Sequence, residues 1–160
     1  MTESTLLLHG DVKEGLELEP LSYDVSSTTV VLGALATRDW RPQHHDYHFA
    51  TERNGVKDIF INAPNQAAWF ERYITDWTGA RGRLGRMRFR MKGSVFPDDT
   101  MVFTGVVTAT AVDDTGCGWA ELDVSLKVGD EVKTTCQARV ALPTTPDDNP
   151  WARRGERWIP

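Results

Sequence analysis

The order of periodicities along the chain predicts an α+β domain in which a curved antiparallel sheet wraps one central helix. Three observations predict it. Apolar residues recur at helical spacing at Ala67, Phe70, Tyr73 or Ile74, and Trp77. The period then drops to two, with Met87, Phe89 and Met91 alternating with Arg86, Arg88 and Arg90. Three further β-branched runs follow, separated by short turns. At 160 residues the length is that of one domain. With 40% hydrophobic and 26% charged residues, the chain can bury a core without a metal or disulfide to hold it.

From the N-terminus, residues 1–20 read as an irregular segment. Residues 25–37 are apolar and β-branched at their start, which suits a strand or the first turns of a helix. A charged, proline-containing stretch follows at 38–58, with three of the four histidines. The central helix starts at Pro64, with Asn62 or Ala63 as its cap, and stops at Gly79. Its Trp69, Phe70, Tyr73 and Trp77 read as core and interface residues rather than a ligand box. Pro97-Asp98-Asp99 is a turn before a long strand at 101–112. Strands at 119–128 and 131–142 follow, the last two joined through Gly129-Asp130. The domain is thus expected over 1–142. The tail, 143–160, contains four prolines and reads as flexible, although Trp151 and Trp158 suit docking on a partner.

A net charge of -5 argues against nucleic acid as a partner, since phosphate backbones need a basic surface. Arg81, Arg83, Arg86, Arg88, Arg90 and Lys92 nevertheless form a local basic stripe. Such a stripe suits a small phosphorylated ligand, or is simply the solvent face of a half-buried sheet. Cys117 and Cys136 lack metal spacing and read as reduced, partly buried thiols. The Leu6-Leu7-Leu8 run is too short for a signal peptide or a membrane span, so the expected location is the cytoplasm.

The densest set of chemically useful side chains lies at residues 39–48. A turn through Pro42 can bring the Asp39 carboxylate and the His44 imidazole to one pocket, where they can hold a water and move its protons. His44 and His48 have the i, i+4 spacing of a chelating pair, with only Asp39 or Asp46 near as a third ligand. That falls short of a metal shell, and no metal is expected. His45 and His48 read as structural or surface residues.

The run from Thr37 to Asp46 resembles the hydratase motif of MaoC-like, R-specific enoyl-CoA hydratases. That motif is Ser/Thr-Gly-Asp, then proline, then His-x-Asp. Thr37, Asp39, Pro42, His44 and Asp46 match it. Phe49-Ala50, Gly55, Ile59, the Pro97-Asp98-Asp99-Thr100 turn and Gly105-x-Val107 extend the similarity over most of residues 37–142. Ala36-Thr37-Arg38-Asp39, Lys57-Asp58-Ile59-Phe60-Ile61-Asn62 and Arg72-Tyr73-Ile74-Thr75-Asp76-Trp77 are similar to the small catalytic subunit of actinobacterial hydratases acting on steroid side-chain CoA thioesters.

The resemblance implies a hot-dog fold and a lyase that adds water syn across a trans-2-enoyl-CoA. Asp39 and His44 would be catalytic, with acid and base roles open between them. CoA enters as part of the substrate, with no resident cofactor. It also implies a second MaoC-like subunit in a heteromer, a homodimer being the other option. The basic stripe, as Arg81, Arg83, Arg86, Arg88 and Lys92, becomes a candidate site for the CoA phosphates. Three departures stand out. Arg38 replaces the motif glycine, and Arg41 stands where asparagine is usual. The helix also lacks the family's His-Gly start, and Pro64 has no N–H to donate. The N–H groups of Asn62, Ala63 and Asn65 are the remaining candidates to stabilise the thioester oxygen. A hot-dog thioesterase and a non-catalytic scaffolding subunit are the competing functions.

Overall fold

In the computed structural model, which describes residues 6–160, five antiparallel strands form one sheet in the order β1-β3-β4-β5-β2. The first five residues of the domain expected over 1–142 lie outside the described residues. The strands are β1 Glu17–Asp24, β2 Arg83–Met91, β3 Thr100–Val112, β4 Gly118–Val128 and β5 Glu131–Leu142. Helix α1 spans Ser27–Ala36 and helix α2 spans Ala63–Thr78. The sheet curls around α2, as the sequence predicts for a hot-dog fold. Phe70, Tyr73 and Ile74 of α2 pack with Met101, Phe103, Leu122 and Val140 from the inner face of the sheet. Alternate residues of β2 (Arg86, Arg88 and Arg90) are exposed, as period two requires.

Two expectations change. Residues 1–20 are not irregular throughout, because β1 begins at Glu17. Its signal is weak because it is an edge strand with one buried residue (Leu18), an internal proline and a register shift between Leu18 and Leu21. Residues 25–37, open between strand and helix, form α1. The decision is made at Ser26, whose side chain accepts from the Thr29 N–H in a capping box.

The tail packs on its own sheet. Arg153 is 6% exposed and donates to the carbonyls of Thr115 (3.1 Å) and Gly116 (2.9 Å) and to Asp148 (3.2 Å). Trp158 packs on Trp119 with ring centroids 5.0 Å apart. Composition misjudges this segment because one buried arginine and two indoles do the anchoring, not an apolar run. Among the described residues, no helix is long and apolar enough to cross a membrane.

Candidate active site

The end of α1 places Asp39. Thr37 caps the helix, the Arg38 N–H donates to the Leu35 carbonyl and the Asp39 N–H to the Ala34 carbonyl. That is a Schellman closure, which requires a left-handed residue at Arg38. Arg38 has φ +55°. The family motif's glycine at this position thus has a backbone reason. A non-glycine residue held there costs about 1–2 kcal/mol.

His44 is placed by Pro42, which opens a short 3-10 turn at Pro42–His44. The ring is 3% exposed, and its Nδ1 lies 2.7 Å from the Phe60 carbonyl oxygen. A carbonyl only accepts, so Nδ1 carries a proton and the neutral ring keeps its lone pair at Nε2. The Gln43 amide faces Nε2 at 3.2 Å, and Asn54 donates to the Gln43 carbonyl oxygen at 2.8 Å. This relay orients the Gln43 amide so that its N–H points to the ring.

Asp39 Oδ2 and His44 Nε2 stand 3.6 Å apart, too far for a good direct hydrogen bond. The Asn62 amide donates to Asp39 Oδ2 at 3.0 Å and to Thr37 Oγ1 at 2.8 Å. This amide bond is the largest cause holding the Asp39 carboxyl below its ordinary range. The Arg41 N–H and the charge of Arg41 act in the same direction, against partial burial. Asp39 therefore remains a carboxylate at neutral pH.

Asn62 is also the N-cap of α2, its side-chain oxygen accepting from the Asn65 N–H at 3.3 Å. Asn65 is thereby removed from the three oxyanion candidates. The Ala63 N–H points from the first turn and makes no hydrogen bond among the described residues. Ala63, Asn62, Asp39 and His44 line one pocket of about 560 Å³, with Arg38, Arg41, Gln43, Phe60 and Met91 among its other walls. Asp46, the last motif residue, is outside it. Its carboxylate accepts from the Phe49 N–H at 3.0 Å and caps the following turn. Gln43 is a functional residue that sequence reasoning missed. Asn62 appears there as a cap and as a backbone N–H candidate, but the reach of its side chain to Asp39, across 23 residues, does not.

The basic stripe does not converge on this pocket. Arg81 and Arg83 hold the tail through the carbonyls of Asp148 and Pro150, each at 3.2 Å, and Arg83 also lies over the Trp158 ring. Arg86 pairs with Glu121 at 3.6 Å. Arg88 lines a shallow groove on the outer sheet face with Glu17 and Glu19. Arg90 and Lys92 adjoin a pocket residue, Met91, in sequence. His48 pairs with Glu52 at 3.2 Å instead of joining His44. Both cysteines are free, and burial pushes the Cys136 thiol up to about 12.

No protein-family model matches the chain. It is 37% identical over 95 residues to the 3-oxo-4,17-pregnadiene-20-carboxyl-CoA hydratase beta subunit of Mycobacterium tuberculosis, covering 59% of this chain and 73% of that one. A chain of the ChsH1-ChsH2 complex from Mycobacterium tuberculosis superposes with a TM-score of 0.73 at 29% identity, over 81% of this chain and 97% of that chain. The (R)-hydratase of A. caviae involved in PHA biosynthesis shares the fold with a TM-score of 0.73 at 22% identity, over 82% and 98% of the two chains. A shared hot-dog fold, the motif run from Thr37 to Asp46 and this identity to a hydratase subunit agree: the chain belongs to the MaoC-like hydratase family and is a hydro-lyase.

Proposed function

We propose that this hydratase adds water syn across a trans-2-enoyl-CoA with a bulky acyl group, as one subunit of a heteromer in the cytoplasm. The observation that carries the reading is the Asp39–His44 pair, 3.6 Å apart in a pocket that Ala63, at the start of α2, also lines. A water oxygen about 2.8 Å from both Asp39 Oδ2 and His44 Nε2 would cap that pair. Asp39 Oδ2 accepts one water hydrogen, and Nε2 accepts the other when the 3.2 Å contact from the Gln43 amide gives way, so the oxygen lone pair faces outward to the β-carbon. One group takes a water proton as the C–O bond forms, and that proton is then passed to the α-carbon from the same face, which leaves both groups as they began. The Ala63 N–H, at the positive end of α2, would stabilise the enolate oxygen that develops on the thioester.

A bulky acyl group is supported by the curated relative, whose named substrate is a pregnadiene-carboxyl-CoA. The openness of the α1 side supports it too. Leu32, Leu35, Trp40 and Tyr47 are all exposed there, more apolar surface than water favours. The same surface supports a second MaoC-like subunit, as does the beta-subunit name of the relative. The two free thiols suit a reducing compartment.

The test is loss of the enoyl-thioester absorbance band with short, long and steroidal enoyl-CoAs, with the protein alone and with a co-expressed MaoC-like neighbour. Hydration that Asp39→Asn abolishes is the expected result. Thiol release in its place would make the chain a thioesterase, and absence of any reaction would leave a scaffolding subunit.

A further inference from the structure

The two substitutions in the hydratase motif are both arginines, and both line the same pocket. Arg38 stands at the Schellman position that the motif gives to glycine, and Arg41 stands where asparagine is usual. Arg38 is held at φ +55° against the preference of a residue with a side chain. The two Schellman hydrogen bonds hold the backbone there, but they give a side chain at this position no task. The Arg38 side chain is exposed and makes no hydrogen bond or ion pair among the described residues. Arg41 is 76% exposed, and its guanidinium approaches Asp39 only to 4.0 Å. Two arginines and one carboxylate thus stand among the residues that line the pocket, a net positive wall on a chain whose net charge is -5. A guanidinium is a planar, permanently charged fork that matches phosphate and carboxylate oxygens two at a time. A residue kept in an unfavourable backbone conformation, without an internal partner, at the mouth of a chemical site points to a ligand.

We propose that Arg38 and Arg41 form a cationic lip that binds an oxyanion of the thioester substrate, either a phosphate of its coenzyme A or a carboxylate on its acyl group. The identity of the substrate rests on the hydratase reading. The lip is a positioning device, since neither arginine needs to touch the reacting carbons.

Binding of saturated thioesters, which cannot be hydrated, tests it independently of turnover. Hexanoyl-CoA, hexanoyl-pantetheine and adipoyl-CoA are titrated calorimetrically into the full chain in complex with its co-expressed MaoC-like neighbour, and into the same complex carrying Arg38→Gly, Arg38→Lys or Arg41→Ala. If the lip reads phosphate, Arg38→Gly weakens hexanoyl-CoA roughly tenfold more than hexanoyl-pantetheine, and Arg38→Lys recovers part of the loss. If it reads an acyl carboxylate, adipoyl-CoA loses roughly tenfold more than hexanoyl-CoA. Equal losses for all three probes, no loss, or no binding by the unmodified protein overturns the lip. Arg38→Gly should also melt at or above the temperature of the unmodified chain, because glycine relieves the left-handed backbone, so weaker binding cannot be blamed on unfolding. Failure to hydrate any enoyl thioester would instead remove the hydratase reading and leave the binding comparison to decide the lip.

Discussion

Asp39 and Asp113 are both half-buried, both sit where a helix or strand gives way to a loop, and both are held below the ordinary carboxylate range. They differ in what is left over. Burial pushes the Asp113 carboxyl up, but four donors outweigh it. Oδ1 accepts from the Thr115 N–H, the Thr115 hydroxyl and the Cys117 N–H, at 2.7–3.0 Å, and Oδ2 accepts from the Trp119 indole at 2.8 Å. That carboxylate is saturated, and its work is to fix the turn on which Arg153 and the tail lock. Asp39 is held by the Asn62 amide on one oxygen and by the Arg41 N–H at 3.3 Å on the other. Oδ2 still faces a histidine nitrogen across a gap suited to a water. A carboxylate with capacity in reserve beside an imidazole can do chemistry, whereas one with its lone pairs committed can only hold structure.

Substitution at the two sites should separate these roles. Asp39→Asn is expected to lower kcat for enoyl-thioester hydration by roughly 10²–10⁴. Its melting temperature should stay close to that of the unmodified chain. Asp113→Ala should do the reverse. It leaves the Trp119 indole N–H and three other donors without their acceptor, at about 2–3 kcal/mol, read as a lower denaturation midpoint with kcat retained. If Asp113→Ala also abolished hydration, the division between the two corners would be wrong.

Asn62→Ala should act between these extremes. It removes the largest cause that lowers the Asp39 pKa, so that pKa rises and the acid limb of the kcat/KM profile moves to higher pH. An acid limb that stays in place would mean that Asn62 only caps α2. The smallest effect is the pH response of the tail lock. The folded-state pKa of Asp113 is depressed, so its contribution to stability is present above the unfolded value of about 3.9 and is lost as pH falls through the folded value. Trp158 fluorescence should therefore hold from neutral pH to about pH 4 and change only in stronger acid.

The legibility of the sequence followed how local each determinant is. Helix α2 and strands β2 to β5 were readable because their periods repeat over 9–16 residues. Strand β1 was not, because an edge strand with a proline and one buried side chain carries little period. At the pocket, the Asp39-x2-Pro42-x-His44 spacing marked the pair in the chain. The Asn62 clamp, the Gln43–Asn54 relay and the reassignment of Arg81 and Arg83 to the tail depend on residues 11–67 positions apart, which no local pattern encodes.

The sequence by itself determined the fold class, the central helix with its cap and stop, and which carboxylate and imidazole could meet. These follow from side-chain period, proline and glycine geometry, and chemical type, all of which act over a few residues. Only the tertiary structure decided that the Asn65 N–H is already engaged by the Asn62 cap, why Arg38 sits in a glycine conformation, and that the proline-rich tail packs on the sheet. Those outcomes depend on which hydrogen-bond donors and acceptors remain unpaired once distant segments have packed, and that balance exists only in the folded chain.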